Sequence, residues 1–273
     1  MHLSSLFIYP VKSLHGLSVA SVELDALGLS GDRRFMVVDE RGRFLTQRTL
    51  PRMALIRTML TPERLALSAV GAGEIEVGRA SDPTAPLRAV KVWKSEGLRA
   101  EDCGDAAAVW LGNFLGIACR LVRAGTEFHR PMTKPKARAG DVVSFADADP
   151  LLVVSESSLA NLNDRLLVQG EDPVPMDRFR PNLVVSGCDA FAEDSWPRVR
   201  IGEVVLRAGG PCARCVVTTT DQLTAERGKE PLRTLATYRR DAGDPTDVNF
   251  GQNFIHETKC GLLRLGDAVE AFS

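Results

Sequence analysis

The run Gly209-Gly210-Pro211-Cys212-Ala213-Arg214-Cys215, followed by Val216-Val217-Thr218-Thr219-Thr220, restricts what this 273-residue chain can fold into more than any other stretch. Its start cannot be helical, because two glycines carry a backbone-entropy cost and Pro211 removes a donor and drives Gly210 toward extended geometry. The β-branched residues after Cys215 predict a strand, as do Glu203 to Arg207 before it. Both cysteines are therefore expected on a tight inter-strand loop with Arg214 between them. A thiol beside a guanidinium ionises more readily, and the thiolate is the form that ligates metals or attacks electrophiles.

On residue chemistry alone several readings stay open. A thioredoxin-like redox pair wants a helix directly after its second cysteine, which the β-branched run opposes. A zinc site needs two more ligands; His256 and Cys260 are available but form no second tight pair. A single thiolate could instead ligate a sulfur-loving metal carried by an organic cofactor. The plainest reading is a hairpin holding two half-buried thiols.

Around this segment the chain reads as β. Leu6 to Tyr9, Phe35 to Val38, Phe44 to Thr46 and Val90 to Trp93 have strand character, with Asp39-Glu40-Arg41-Gly42 as a hairpin turn. Leu65, Leu67 and Ala69, then Ile75 and Val77 beyond Gly71-Ala72-Gly73, alternate as a second hairpin does. The period changes at Asp105 to Leu115, where Ala107, Trp110, Leu111, Phe114 and Leu115 share a helical face, with Asp102 as cap and Gly116 as stop. Cys119 to Val122, Leu151 to Val154, Leu183 to Gly187 and Leu262 to Phe272 are further strands. Ser155 caps a helix that places Leu159, Leu162 and Leu166 inward and stops at Gly170, and Pro231 opens a short helix. With no βαβ rhythm, the fold class is mainly β with helices (α+β): a β-barrel-like domain over residues 1–122 packed on a second barrel domain over 123–273.

A length of 273 residues suits two modest domains, and a net charge of -1 gives no global pull toward nucleic acid or anionic membrane. No apolar run approaches the ~20 residues of a membrane span, and the N-terminus lacks a basic, then apolar, leader. Six cysteines at scattered positions make no disulfide framework, so a reducing, cytoplasmic setting is expected. Basic residues cluster in one irregular stretch, Arg130 to Arg138, which reads either as a solvated loop or as a docking patch for an acidic partner. Lys12, Arg34, Arg180 and Arg214 stand at strand ends or loops, where scaffolds place function.

Several of these runs carry a resemblance. Tyr9-Pro10-Val11-Lys12-Ser13, Gly28 to Phe35 with its Gly31-Asp32-Arg33-Arg34 core, and Phe44-Leu45-Thr46-Gln47-Arg48 resemble the N-terminal β-barrel domain of the MOSC family. Arg178-Phe179-Arg180-Pro181-Asn182, Ser186-Gly187-Cys188-Asp189, Glu193-Asp194-Ser195-Trp196, Cys212 to Cys215 and Phe250-Gly251-Gln252-Asn253-Phe254 resemble its C-terminal MOSC domain. The match runs in order along nearly the whole chain and is similar to the amidoxime-reducing branch of that family, mitochondrial and bacterial.

That resemblance implies a molybdenum–molybdopterin cofactor and reduction of N-hydroxylated compounds (hydroxylamines, amidoximes, N-hydroxylated bases) to the parent amines or amidines. It assigns the metal ligand to Cys215, with Cys212 the nearby alternative. Cofactor contacts would come from Lys12, Ser13, Arg34, Ala148, Asp149, Arg180, Asn182, Ala213, Arg214 and Asn253. Two positions depart from the pattern: Ala213 replaces a serine, so only its backbone could serve, and Asp149 replaces a small hydroxyl residue, where a carboxylate either repels the cofactor phosphate or faces elsewhere. Asp189, beyond Cys188 at a strand end, is the candidate proton donor, although an Asp there also suits a turn. No ferredoxin-type cysteine cluster and no membrane anchor are seen, so electrons are expected from a separate protein: a ferredoxin, a flavoprotein or a b-type cytochrome; a monomer is expected. A cofactor carrier or sulfur-transfer protein without N-reductive turnover is the alternative.

Overall fold

The computed structural model describes all 273 residues. Eight strands form its largest sheet, in the order Val269–Phe272, Arg198–Ile201, Val204–Ala213, Asn249–His256, Leu151–Ser155, Leu183–Ser186, His2–Ile8, Leu17–Ser18. Three smaller sheets complete the β structure, curled with it into the half-barrels of a mainly β, two-domain architecture. One of these joins Phe35–Val38, Arg120–Arg123, Ser95–Asp102 and Leu87–Val92 in that order. The hairpin strands Arg64–Ala69 and Gly73–Gly78 pair across a turn whose Gly71 and Gly73 take φ of 78° and 67°, left-handed values open to glycine.

The sheets do not respect the order of the chain. His2–Ile8 pairs antiparallel with Leu183–Ser186, and Ser21–Asp25 pairs with Gly261–Arg264. Leu3, Leu6, Ile8, Val22, Leu24 and Leu29 accordingly share one apolar core with Val153, Leu206, Phe254 and Val269. A cut at residue 122 falls inside the strand Arg120–Arg123 and separates strands that pair with one another. A second core, of Leu65, Leu67, Val77, Leu111 and Phe114 among others, lies under the helix Asp105–Leu115.

Several local expectations differ from the structure, among them a strand at Phe44 to Thr46, where only an isolated bridge between Phe44 and Val38 forms, and a loop at Cys212, which lies within the strand Val204–Ala213. Val216–Thr219 is a single 3-10 turn rather than a strand: the Thr218 and Thr219 hydroxyls donate to the carbonyls of Cys215 and Val216 at 3.0 and 2.9 Å. Such local hydroxyl bonds compete with a ladder, and here they win over β propensity. One βαβ unit is present, since Leu151–Ser155 and Leu183–Ser186 pair in parallel across the helix Glu156–Val168. Ser155 does cap that helix, its side chain accepting from the Ser158 N–H. Asp102, by contrast, does not cap the helix at Asp105–Leu115; it accepts from the Gly104 N–H and pairs with Arg88 and Arg120. No helix is long and apolar enough to cross a membrane.

Candidate functional site

A cavity of about 440 Å³ opens at one end of the large sheet. There the chain leaves His2–Ile8 toward Lys12, enters Leu183–Ser186 from Asn182, and leaves Val204–Ala213 toward Cys215. Strand pairing fixes these ends side by side: Leu152 stands opposite Asn253, and Gly210 opposite Asn253 in the neighbouring ladder.

One wall is cationic and built on unusual backbone. Ser13, Arg33 and Arg180 all line the cavity and take φ of 66°, 47° and 54°. Non-glycine residues rarely adopt this region, and each costs of order 1–2 kcal/mol that surrounding contacts must offset. The contacts are visible. Arg33 donates to both oxygens of the buried Asp32 at 2.8 and 2.7 Å and to Asn182 Oδ1 at 3.1 Å. Arg33 and Arg180 each lie 4.2 Å from the Tyr9 ring centre, and Tyr9 is anchored through its hydroxyl to the Pro181 carbonyl at 3.0 Å. The Arg180 guanidinium donates to no protein acceptor at all, and burial lowers its pKa to about 10. An unpaired guanidinium lining a cavity is a prepared anion site.

Lys12 is buried in the same wall, donating to the Phe145 carbonyl at 2.9 Å and paired with Asp147. Burial pulls its pKa down to about 8 against the pull of Asp147. Arg48 donates to the other Asp147 oxygen at 2.9 Å. Burial opposes charge on Arg48, but Asp147 and the Cys215 sulfur beside it more than compensate, and its pKa is raised.

The opposite wall is built on paired strands. Cys212 lies within Val204–Ala213, where a register shift between Pro211 and Ala213 turns the strand end toward the cavity. Its sulfur accepts from Arg214 Nη1 at 2.9 Å, while Arg214 Nη2 donates to the Phe179 carbonyl at 2.5 Å. Cys215 lies beyond the strand, at the entry to the 3-10 turn, and also lines the cavity. Asn253 Nδ2 donates to the Pro211 carbonyl at 3.1 Å, which ties the two strands at the rim.

Ala148 and Asp149 bring a third element, the segment ahead of Leu151–Ser155, to the same space. Asp149 is buried, and its Oδ1 has no hydrogen-bond partner. Burial drives its pKa up to about 6, against the weaker opposing fields of Lys134, Arg207 and Lys136. Asp147, two residues earlier, goes the other way: burial would raise it, but Lys12 and Arg48 hold it far below the usual carboxylate range.

Lys12, Ser13, Ala148, Asp149, Arg180, Asn182, Ala213, Arg214, Cys215 and Asn253 therefore do meet at one cavity. Arg34 does not. Its neighbour Arg33 takes the cavity side, and Arg34 turns away to Asp25 Oδ1 at 2.6 Å and the Leu29 carbonyl at 3.2 Å. Asp189 is also misplaced: it is exposed beyond the far end of Leu183–Ser186, whose near end carries Asn182, so about 13 Å of strand separates it from the cavity. The Arg130 side chain is buried and donates to the carbonyls of Ser144 and Ala146 at 2.8 and 2.6 Å, so it is a structural strut and not a docking charge. The sequence reading did not assign Arg33, Arg48 or Asp147 to the site. Alternating Asp and Ala in Ala146-Asp147-Ala148-Asp149 before a strand was the available signal for the last.

His256 is buried in a strand, Cys260 is exposed, and no group of three His, Cys, Asp or Glu side chains that could hold a metal ion exists. A metal at Cys215 would need its other ligands from outside the protein.

Comparison with known proteins is consistent along the chain. Residues 1–118 match the family model described as the MOSC N-terminal beta barrel domain, and residues 140–270 match the MOSC domain. Mouse mitochondrial amidoxime-reducing component 1 is 40% identical over 283 residues, spanning 98% of this chain and 81% of its own length. The human protein of the same name is 37% identical, with 98% and 82% spanned, and bovine mitochondrial amidoxime reducing component 2 is 37% identical with the same coverage. This chain belongs to the MOSC family, carrying the N-terminal β-barrel domain and the MOSC domain together.

Proposed function

We propose that the chain is a molybdenum-cofactor-dependent reductase of N-hydroxylated compounds, returning hydroxylamines, amidoximes and N-hydroxylated bases to the parent amines or amidines. The observation that carries this reading is the meeting of an available sulfur, Cys215, with cations from both halves of the chain in one cavity. The relatives named as amidoxime-reducing components support the reaction class.

The donor set suits a molybdopterin. Arg180, with no protein acceptor, and Lys12 and Arg33 are placed to hold an anionic phosphate by charge-assisted hydrogen bonds, and the Ser13 hydroxyl and Asn253 amide add neutral donors. Cys215 supplies a thiolate, the ligand type that soft, sulfur-rich centres select. Each sulfur has a guanidinium beside it, Arg214 at Cys212 and Arg48 at Cys215, and it is the resemblance to the family that assigns the ligand to Cys215. When bound, the group supplies the two-electron redox chemistry. The protein's part is to bind and orient: Asp147 keeps Lys12 and Arg48 in place, and the Tyr9 ring carries Arg33 and Arg180.

Electrons are expected from a separate ferredoxin, flavoprotein or b-type cytochrome, with the chain working as a cytoplasmic monomer. Molybdenum analysis of protein from a molybdate-replete host tests the reading. Stoichiometric metal is expected in the parent, at least tenfold less in Cys215→Ala, and most of it retained in Cys212→Ala. Purified parent should reduce benzamidoxime with dithionite. Bound molybdenum without any turnover would instead identify a cofactor carrier or sulfur-transfer protein.

A further inference from the structure

We infer that Asp149 is the acid of this cavity: its carboxyl, one oxygen buried against Gly209, holds a proton and gives it to the oxygen that leaves as water when the N–O bond is cleaved. The inference rests on the N-hydroxy-reductase reading and assigns a role to a residue that the reading itself leaves idle.

Two carboxylates line the same cavity and differ in what surrounds them. Asp147 is bracketed by Lys12 and Arg48, so it stays an anion and acts as a structural counter-charge. Asp149 has no ion pair and no hydrogen bond to Oδ1. It is pressed against bare backbone: a Cβ on Gly209 would stand 2.6 Å from Asp149 Oδ1 and 3.0 Å from its Cγ. The cations that face it are committed or exposed. Arg207, on the neighbouring strand, is paired with Asp141, and Lys134 and Lys136 lie on the exposed loop, acting only through space. Burial without a direct partner disfavours the carboxylate more than these distant cations favour it, and the pKa is raised to about 6. Where two titratable groups in one site are pushed apart like this, the raised one is the acid.

The same protonation resolves a conflict in the sequence. A carboxylate here would repel an anionic cofactor, whereas a neutral acid repels nothing and can donate a hydrogen bond. A bound anion would raise its pKa further.

The reaction consumes two electrons and two protons. The N–O bond breaks, an N–H bond forms, and the hydroxyl oxygen departs as water. Asp149 delivers one proton to that oxygen and is reprotonated by solvent; the second proton also comes from solvent. The electrons come from the one-electron donor protein, or from dithionite in the test.

Difference infrared titration of the purified protein reads the carboxyl directly. The carbonyl stretch of a protonated acid should disappear near pH 6 and be absent from Asp149→Asn. With dithionite and benzamidoxime, kcat should be greatest below about pH 6 and fall as pH rises. Asp149→Asn should lose about 100-fold or more in kcat and flatten that profile, since positioned general acids contribute about 10²- to 10⁴-fold. Asp149→Glu should restore part of the rate and the pH dependence. Asp149→Ser, the smaller side chain, guards against misfolding of the amide variant, and molybdenum content should remain that of the parent in Asp149→Asn, Asp149→Glu and Asp149→Ser. A band that titrates near pH 4, or parent-like rates and profile in loaded Asp149→Asn and Asp149→Ser, overturns the acid and leaves the reductase reading standing. A loaded parent that reduces nothing at any pH removes both.

Discussion

The two walls of the cavity solve the same placement problem by opposite means. Cys212 and Asn253 are set by strand pairing, where neighbouring ladders fix each position to within a residue. Ser13, Arg33 and Arg180 are set by left-handed loop residues braced from behind, by Asp32 and Asn182 through hydrogen bonds and by Tyr9 through stacking. The strand wall is a ladder with register shifts at Ala208/Gly210 and Pro211/Ala213, and its left-handed φ falls on a glycine, Gly210, where it costs little. The loop wall stores strain and spends buried polar contacts to hold it. Strain at a site is retained where geometry matters more than stability, so the cation wall is the more exacting half of the pocket.

Removing Arg180, a cavity cation whose guanidinium has no protein acceptor, gives the largest effect. Arg180→Ala deletes a charge that no hydrogen bond ties into the fold, and a charged hydrogen bond contributes about 1.5–3 kcal/mol. Cofactor affinity is therefore expected to fall roughly 10- to 100-fold. Thermal stability should change little, because only the stacking on Tyr9 is lost, at about 0.5–1 kcal/mol, while alanine keeps the Cβ and so the same left-handed strain. Molybdenum per protein after dialysis, beside a melting curve, separates the two. Unchanged occupancy would place the anion on Lys12 and Arg33 alone.

The contrast between walls also marks what could be read in the sequence. Period-2 patterning located most of the strands, because alternation reports one buried face directly: Leu65 and Leu67 are fully buried in their strand. The helix at Asp105–Leu115 followed from Ala107, Leu111 and Phe114 at helical spacing. The loop wall was legible only by resemblance, and only to within a residue. Arg33 and Arg34 are adjacent and identical in type, and a left-handed φ at Arg33 decides which one faces the cavity. No local propensity encodes that choice, which depends on Asp32, Tyr9 and Asn182 arriving from elsewhere. Val216–Thr219 failed for a related reason: threonine's β preference is a statement about packing on a sheet, and here the hydroxyls bond back to their own turn. The return of Leu3 and Leu6 to the C-terminal core is likewise a long-range pairing that no window of sequence contains.

Lys12 gives a second, smaller effect, through pH. Its pKa is lowered to about 8, so its charge, and the anion affinity that depends on it, is present below that value and lost above it. Cofactor retention should weaken as pH rises from about 7 to 9, by up to roughly tenfold, about what one charged hydrogen bond contributes. Lys12→Arg keeps a charge throughout that range, so it should remove the pH dependence even if its bulk lowers affinity at all pH values. Retention that is flat with pH in the parent would mean that Arg33 and Arg180 carry the anion without Lys12.

The strand wall should tolerate small changes better, and Gly209→Ala measures by how much. Gly209 has an ordinary backbone conformation, so the cost is steric: the added methyl meets Asp149 Oδ1 at 2.6 Å and the Asn253 carbonyl at 3.3 Å. The carboxyl is the end of a side chain and can rotate, whereas the Asn253 carbonyl sits in the ladder and cannot. The expected loss is about 1 kcal/mol, at the low end for overpacking, or ~2–4 °C in Tm. Because the displaced group is Asp149, the variant should also move that residue's titration toward the ordinary carboxylate range as the carboxyl turns to solvent. A drop in Tm several times larger, with the titration unmoved, would show that the strand wall is as rigid as the loop wall and that the contrast between them is one of backbone shape alone.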